Sequence, residues 1–549
     1  MTLHSRDRYS IPEETSRVAH RVFPKGNNYM TMRDHLDLWY RDSEYAHLFE
    51  SHQGRPAESP GLLNLVIVMQ FAEGLSDQQA ADAVRSRIDW KYALGLALDD
   101  PGFDTSILCD HRHRLIAQGA EQQLFDDMLK QFKSHKLLKA RGQQRTDSTH
   151  VLAAIRAVNR LELIGETMRQ ALNRLSEVAP GWLRSQVTSD WFDLYGPRFE
   201  QYRLPAKEAE RQALAVRIGT DGYHLMTAIY ADDAPAYLRQ LPSVEILRQV
   251  WVQQFMLEAD QVSWRSVDNQ PPAENKIVSP YDAEARYGKK RQTEWVGYKV
   301  HLTETCDPDL PHLITHVETT TAPMADGQVI DDIHSALTEK DLLPATHLVD
   351  NAYVDADAIV DSQEQNVELL GPVRPDHSWQ AKAQQGFDKI AFAVDWDAQT
   401  VTCPGDKISV SWRPNRDRLG NDLIEVRFDP LQCRTCSFRS QCTRSESHGR
   451  CLSLKPQVQH AALQDRRTYQ TTEEFKRRYA KRAGIEGTIS QGVRAFDLRS
   501  ARYIGQAKTH LQHIMTASAM NLTSAVAWLH GNTRTSTRRS SFAALAAIT

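Results

Sequence analysis

Three acidic residues stand where a carboxylate could do chemistry. Asp147 interrupts the β-branched and apolar stretch RTDSTHVLAAI (residues 145–155), which predicts a strand. Asp350 directly follows the apolar segment HLV, where a later predicted strand turns towards a helix. Strand ends are where α/β sheets place their reactive groups. Glu486 lies on a predicted helix within YAKRAGIEGTIS.

Three carboxylates held together repel one another and need a countercharge. Mg²⁺ or Mn²⁺ could supply it, because hard divalent cations prefer oxygen ligands. A pair of such ions would stabilise the attacking and the leaving oxygen of an in-line phosphoryl transfer. The alternative is that these three residues are helix caps or salt-bridge partners, as most of the 70 acidic residues in the chain must be.

The helix that carries Glu486 also presents groups suited to a phosphate. Tyr479, Arg482, Glu486 and Ser490 recur at helical spacing and are predicted to share one face. They lie in a basic segment, residues 431–549, with 19 Lys and Arg against 6 Asp and Glu, although the whole chain has a net charge of -4. This imbalance indicates binding to nucleic-acid phosphates, and solvated helix faces are the alternative explanation.

A chain of 549 residues is too long for one ordinary core, so several domains must position these groups. Near the N-terminus, Ser59-Pro60 predicts a helix start, and the turn at residues 74–77 separates two helices. That pair fits a DNA-binding helix-turn-helix or any helical bundle. The predicted domains are a helical N-terminal DNA-binding domain (1–138), a catalytic domain (139–375 and 456–530, with a helical insertion at about 160–275), a β-rich insertion (376–455) and a disordered tail (531–549).

The β-rich insertion contains a cluster of cysteines. Cys403, Cys433, Cys436 and Cys442 follow the pattern C-P-x-G, then C-x₂-C-x₅-C, which is typical of a four-thiolate structural Zn²⁺ site. Only one C-x₂-C pair is present, however, and His448 and Cys451 are further candidate ligands. Two interpretations stay open: a structural zinc site, or reduced cysteines in a small β-module.

Localisation follows from what the sequence lacks. It has no apolar run of about 18 residues and no signal-peptide core, so we expect no membrane partner. An odd number of cysteines, seven, indicates reduced thiols in the cytoplasm.

Several other residues near these motifs have simpler explanations. Asp282 and Asp326 are predicted helix caps or turn residues, with a position near the active cleft as the alternative. His150 is predicted to be a packing or hydrogen-bonding residue, with assistance to a nucleophilic water as the alternative. Asp355 is the rival of Asp350, which is preferred because it directly ends the apolar strand. Trp379 is predicted to lie in a core, with stacking on a displaced base as the alternative.

The motifs resemble those of bacterial insertion-sequence transposases of the DDE type, over about residues 35–525. RTDSTHV resembles the first catalytic strand of that family and HLVDNAYVDA its second aspartate motif. SPYDAEARYGKKRQTEWVGYKVHLTET resembles the central strands. YAKRAGIEGTISQGVR resembles the Tyr-x-x-Arg-x-x-x-Glu signature around the catalytic glutamate.

The resemblance implies a mixed α/β fold: a ribonuclease-H-like catalytic core with a helical N-terminal domain and a β-rich insertion. It implies that Asp147, Asp350 and Glu486 are catalytic and bind Mg²⁺ or Mn²⁺, and that Tyr479 and Arg482 contact the DNA backbone. The signature usually continues with Lys after six intervening residues. Val493 occupies that position here, so Arg494 or Lys508 would replace the basic contact.

The function implied is that of a DNA transposase. Such an enzyme binds the terminal inverted repeats of its element, hydrolyses a phosphodiester and transfers the freed 3′-hydroxyl into target DNA. Its partners would be double-stranded DNA and further copies of the chain, as a homodimer or larger assembly at the nucleoid. The alternatives are a ribonuclease-H-like nuclease without strand transfer and a non-catalytic DNA-binding protein that retains the fold.

Overall fold

A computed structural model describes residues 3–5, 9–49, 56–259, 261–376, 378–383, 385–417, 420–445 and 447–532. Helices make up 51% of the structure and strands 15%. The predicted mixed α/β fold class is therefore confirmed. Most of the predicted disordered tail, residues 533–549, lies outside the described residues.

The N-terminal part is entirely helical. Ser59 caps α3 by accepting a hydrogen bond from the Leu62 amide, and Pro60 occupies the first turn. Gly74 ends that helix with a φ of 68°, and Ser76 begins the next with a capping box. The helices are α1 (Glu13–Val22), α2 (Asn28–Leu36), α3 (Pro60–Glu73), α4 (Asp77–Ser86), α5 (Ile88–Leu94), α6 (Ser106–Ala117) and α7 (Glu121–Ser134), with a 3₁₀ helix at Asp42–Leu48.

The helix pair around Gly74 matches the predicted break, but its first helix is not exposed to a ligand. Every residue of α3 from Pro60 to Phe71 is buried. Helix α3 is therefore a core helix of the N-terminal bundle. In a helix-turn-helix the second helix enters the DNA groove, so the burial of α3 does not decide between that motif and a helical bundle.

A helical insertion follows β1 (Gln143–Leu152) and has its own apolar core around Ile164, Trp251 and Phe255. Asn159 starts its first helix with a capping box to Glu162. The insertion contains α8 (Arg160–Val178), α9 (Pro180–Gln186), α10 (Ser189–Tyr195), α11 (Glu208–Ile229), α12 (Pro242–Gln254), β2 (Phe255–Glu258) and β3 (Gln261–Trp264), with 3₁₀ helices at Gln201–Arg203, Ala236–Gln240 and Val267–Asn269. The closing β-hairpin differs from the helix predicted for its sequence.

The central sheet is built around β1. Strand β5 pairs with β1 and with β6, antiparallel in both cases, while β7 pairs parallel with β1 and β8 parallel with β7. This arrangement agrees with the implied ribonuclease-H-like core. The elements are β4 (Arg286–Lys290), β5 (Thr293–Thr305), β6 (Ile314–Thr321), α13 (Ile330–Glu339), β7 (Thr346–Val349), α14 (Ala356–Glu364) and β8 (Glu368–Leu370), with a 3₁₀ helix at Asp326–Val329.

The next segment is a small module with two short sheets. Its core consists of Phe392, Val401, Val426, Phe428, Leu452 and Leu454. Strands β9 and β10 form one sheet, and β11, β12 and β13 form the other. The elements are α15 (Trp379–Ala383), β9 (Ala393–Asp395), β10 (Thr400–Thr402), β11 (Ser411–Arg416), β12 (Asp422–Arg427), α16 (Pro430–Arg434), α17 (Arg439–Cys442) and β13 (Cys451–Leu454), with a 3₁₀ helix at Lys389–Ala391.

The C-terminal helices pack onto the central sheet. They are α18 (Gln457–Tyr469), α19 (Glu473–Tyr479), α20 (Gly484–Ala495) and α21 (Gln506–Leu529), with a 3₁₀ turn at Ala480–Ala483. Helix α21 is largely buried and packs against α3, α7 and β6. The N-terminal helices and the central sheet therefore share one hydrophobic core. Among the described ranges, no helix is long and apolar enough to cross a membrane.

Candidate active site

The register of the central sheet brings the two aspartates together. Thr146 of β1 pairs with Val349 of β7 in the parallel ladder. Asp147 and Asp350 are the next residues of these two adjacent strands, so they leave the ladder side by side. Asp350 acts electrostatically on the Asp147 carboxylate, in agreement with this placement.

The helical segment that places Glu486 near the aspartates is bent. Helix α19 ends at Tyr479, a 3₁₀ turn carries Arg482, and Glu486 lies in the first turn of α20. The predicted continuous helix is therefore interrupted, although its signature residues still face the same cleft. Ile485 and Ile489 hold α20 against the core, which leaves Glu486 exposed.

Arg482 joins the first and last of these carboxylates. Its Nη2 donates to Asp147 Oδ2 at 2.5 Å, and its Nη1 donates to Glu486 Oε1 at 2.8 Å. Asp350 also acts electrostatically on this guanidinium. The three acidic residues singled out in the sequence thus surround one cation.

Burial dominates the electrostatics of Asp147. Loss of water raises the pKa of its carboxyl group, while the charges of Arg482 and Lys290 and the amide of Ser148 oppose that rise. Burial, with the nearby carboxylates, also raises the pKa of Tyr479 to about 12. The phenol of Tyr479, whose ring stacks on Phe475 at 5.4 Å, therefore remains a hydrogen-bond donor at neutral pH.

The donor set suits a hard divalent cation. Asp147, Asp350 and Glu486 offer only carboxylate oxygens, the ligands that Mg²⁺ and Mn²⁺ prefer. The Arg482 guanidinium already balances part of their negative charge, and a metal ion bound to the same oxygens would do the same. In the described part of the chain, no group of three or more His, Cys, Asp or Glu side chains is closed into a metal-ligand sphere.

A buried ion pair fixes α20 to the sheet. Arg145, two residues before Asp147, donates to Glu304 Oε1 at 2.7 Å and to the Lys481 carbonyl at 2.5 Å. Thr488 on α20 donates to the second oxygen of Glu304 at 2.7 Å. Sequence reasoning missed this network, because only the pairing of β1 with β5 places Arg145 opposite Glu304.

Gly484 permits the close approach of α20. A Cβ at this position would lie 2.0 Å from Arg145 Nη1. Any larger residue would have to displace the guanidinium from Glu304 and the Lys481 carbonyl. Gly487, one turn later, has no atom within 4 Å of an added Cβ.

Asp326 lies closer to the site than its predicted role as a cap required. It accepts hydrogen bonds from Lys299 at 2.6 Å and from Ser148, the neighbour of Asp147, at 3.2 Å. By contrast, Asp355 caps α14 by accepting from the Ala358 amide, and Asp282 accepts from Tyr298 inside the core.

The other predicted contacts lie apart from the carboxylates. The side chains of Arg494 and Lys508 are exposed, and neither forms a hydrogen bond or ion pair with another described residue. His150 packs beside Trp295 at 5.5 Å between ring centroids. Trp379 lies under the Arg444 guanidinium in the β-rich insertion, at 4.5 Å.

The four predicted thiol ligands lie within the β-rich insertion. Cys403, Cys433, Cys436 and Cys442 line one cavity there. None of them lines the groove beside α20 that contains Glu486.

Two family models match the chain. One, described as a transposase DDE domain, matches residues 402–526, and the other, described as a transposase domain, matches residues 17–114. No curated protein and no solved structure matches the chain. Tyr479, Arg482 and Glu486 lie within the first match, whereas Asp147 and Asp350 lie outside both.

Over the matched residues the chain is similar to transposase domains, and its mixed α/β core is consistent with a ribonuclease-H-like DDE domain. The predicted resemblance to insertion-sequence transposases of the DDE type is confirmed by the two matches.

Proposed function

We propose that this transposase binds the terminal inverted repeats of its element, hydrolyses a phosphodiester at each end and transfers the freed 3′-hydroxyl into target DNA. The observation that carries the proposal is the arrangement around Arg482. One guanidinium is bonded to Asp147 and to Glu486, and the sheet register places Asp350 beside Asp147. Both reaction steps are in-line displacements at phosphorus, so one site serves them.

Asp147, Asp350 and Glu486 are the residues that would hold the divalent ions. Bound Mg²⁺ or Mn²⁺ would stabilise the charge that develops on the attacking and leaving oxygens. The protein keeps the ligands in place through different elements. Strand β1 fixes Asp147, the end of β7 fixes Asp350, and the Arg145–Glu304–Thr488 network fixes the helix of Glu486.

The chain also supplies the groups that hold the substrate. With the carboxylates engaged as metal ligands, the Arg482 guanidinium would be available to a DNA phosphate, which it suits because of its planar set of donors. The protonated phenol of Tyr479 is a second donor in the same cleft. Arg494 and Lys508 present exposed charges to more distant phosphates.

We propose that the active assembly on DNA is a homodimer or a larger multimer, and that it works at the nucleoid. Two element ends must be joined to one target, which requires at least two sites acting together. Phosphate contacts make the affinity fall as salt rises. Light scattering of the chain with and without end DNA would measure the stoichiometry, and a monomer on paired ends would contradict this assembly.

The function is tested by comparing two neighbouring aspartates. Full-length Asp350→Asn is expected to bind end DNA but to lose Mg²⁺-dependent cleavage and joining to a plasmid. Asp355→Asn is the matched control, because Asn caps a helix as well as Asp does and α14 should stay intact. Cleavage that survives in Asp350→Asn would remove Asp350 from the site.

The same assay separates the alternatives. A nuclease without strand transfer would cut the ends and give no joined plasmid product, even with pre-cleaved ends. A non-catalytic DNA-binding protein would shift the DNA in a gel and leave it uncut with either Mg²⁺ or Mn²⁺. Either result would contradict the proposed function.

A further inference from the structure

Four cysteines of the β-rich insertion come from three separate local structures. Cys403 begins a tight turn in which its carbonyl accepts from the Asp406 amide and its amide donates to the Lys407 carbonyl. Cys433 lies in α16, and Cys436 in the turn that follows it. Cys442 is the last residue of α17. Their thiols are free, and all are partly buried.

The four thiols line the same cavity. Its volume is about 20 Å³, which is room for roughly one small ion or water. The Cys442 sulfur interacts electrostatically with those of Cys433, Cys403 and Cys436. Independently, a Cβ added to Gly405 would lie 3.6 Å from Cys436 Sγ and 3.8 Å from Cys403 Sγ. The turn that contains Gly405 therefore lies close to the C-x₂-C pair.

The alternative ligands are excluded by their positions. Cys451 lies on β13 and His448 in the loop before it, and neither lines the cavity. The imidazole Nδ1 of His448 hydrogen-bonds to the Ser447 hydroxyl instead. The lining of the cavity therefore favours one set of four sulfur ligands among the candidate zinc ligands in the sequence.

The surroundings suit a site of net negative charge. Four thiolates around one Zn²⁺ leave an excess of two negative charges, and Lys407, Arg439 and Arg450 also line the cavity. Arg450 Nη1 donates to the Cys442 carbonyl at 2.8 Å, and its Nε is buried without a partner in the described structure. A guanidinium so placed can offset the charge of nearby thiolates.

The module also needs a cross-link. Among the described residues of the module, six apolar side chains form the buried core, and Cys403, Cys433 and Cys442 pack directly against it. Small units with so little buried apolar surface are commonly held together by a metal or by disulfides. A metal bound here would tie the turn that follows β10 to the helical segments of α16 and α17.

We propose that Cys403, Cys433, Cys436 and Cys442 bind one structural Zn²⁺ that holds the β-rich insertion together. Four thiols lose their protons to solvent and surround the ion tetrahedrally, with no position left for substrate. The thiols must close further around the ion, because they are not yet arranged as a ligand sphere. The site lies outside the catalytic carboxylates, so its failure would leave the proposed function standing.

Metal content of the full-length chain tests the proposal. Protein purified from zinc-supplemented cells under reducing conditions is expected to contain one Zn²⁺ per chain. Cys433→Ser should lose it, whereas Cys451→Ser, the matched control outside the cavity, should retain it. Asp147→Asn should also retain it, which separates this site from the carboxylates.

A spectroscopic measurement on the wild-type chain covers the case in which Cys433→Ser does not fold. Zinc is removed with a chelator and replaced by Co²⁺, whose thiolate charge-transfer bands and tetrahedral d–d bands report sulfur ligation. Absence of both bands in a chain that also lacks zinc would overturn the proposal. In protein purified without a reductant, loss of four of the seven thiols to two disulfides, measured by thiol titration, would overturn it equally.

Discussion

The guanidinium of Arg482 lies between Asp147 and Glu486 and donates a hydrogen bond from one nitrogen to each, at 2.5 Å and 2.8 Å. The two carboxylates are 339 residues apart in sequence, so this contact links strand β1 to the C-terminal helices. Arg482 supplies a countercharge to both carboxylates. If these carboxylates bind divalent ions as proposed, the ions and Arg482 compete for the same oxygens.

Removing the arginine should strengthen metal binding by the free protein. Without DNA, Arg482→Ala is expected to bind Mn²⁺ about tenfold more tightly, since one charge-assisted hydrogen bond of about 1.5 kcal/mol no longer competes. DNA cleavage should fall at the same time, because the phosphate loses its donor. Titration calorimetry with Mn²⁺ measures the first effect. Arg478→Ala is the control, since Arg478 pairs with Glu368 outside the triad. Unchanged or weaker Mn²⁺ binding by Arg482→Ala would contradict the competition.

Two glycines of α20 should respond in opposite directions to alanine. Gly484→Ala is expected to destabilise the fold by about 1–3 kcal/mol, because its Cβ overlaps Arg145 Nη1 and displaces a buried, paired guanidinium. Gly487→Ala should stabilise it by about 0.5–1 kcal/mol, since alanine favours a helix and the space is open. Urea unfolding of both variants gives the two free energies. Equal changes in unfolding free energy for the two variants would mean that α20 lies farther from β1 than the structure shows.

Breaking the ion pair below the site should be costly. Glu304→Gln leaves the Arg145 charge buried and is expected to lose about 3–5 kcal/mol of unfolding free energy. Thr488→Val removes one hydrogen bond to Glu304 and should lose only about 1 kcal/mol. If the pair positions Glu486, Thr488→Val also lowers the cleavage rate without changing DNA affinity. A rate equal to that of the wild type in the folded Thr488→Val chain would restrict the pair to a structural role.

Stability should fall on acidification through buried neutral histidines. Burial lowers the pKa of His111 to about 3, and its Nε2 donates to Asn64 while Nδ1 has no partner among the described residues. The unfolded chain takes up a proton near its ordinary pKa of 6.5, and the folded chain does so only near pH 3. The contribution is therefore complete above pH 6.5 and is lost between these values.

The size of this effect can be measured directly. Between about pH 7 and about pH 5.5, His111 should account for a loss of roughly 1 kcal/mol of unfolding free energy. Urea unfolding of wild type and His111→Gln at both pH values isolates it, because glutamine does not titrate. Identical pH dependence of the two proteins would show that His111 is already charged, or exposed, in the folded state.

Much of the secondary structure could be predicted from sequence because it depends on neighbouring residues. The β-branched run of β1, the Ser59-Pro60 start of α3 and the Gly74 turn are decided by neighbours in the chain, and the structure has each of them. The strand before Asp350 was readable for the same reason. The hairpin at residues 255–264 was not, because its pairing competes with a helical pattern that continues to Gln254.

The sequence by itself determined which residues have side chains that could bind metal and phosphate. The motifs around these residues also indicated the family that the chain resembles. Only the tertiary structure decided how those residues meet. The register of Thr146 against Val349 sets Asp147 beside Asp350, and the pairing of β1 with β5 sets Arg145 against Glu304. Such contacts depend on strand order and register across hundreds of residues. The segments that form a strand ladder or a buried ion pair are distant in sequence, and the local sequence of one does not indicate its partner.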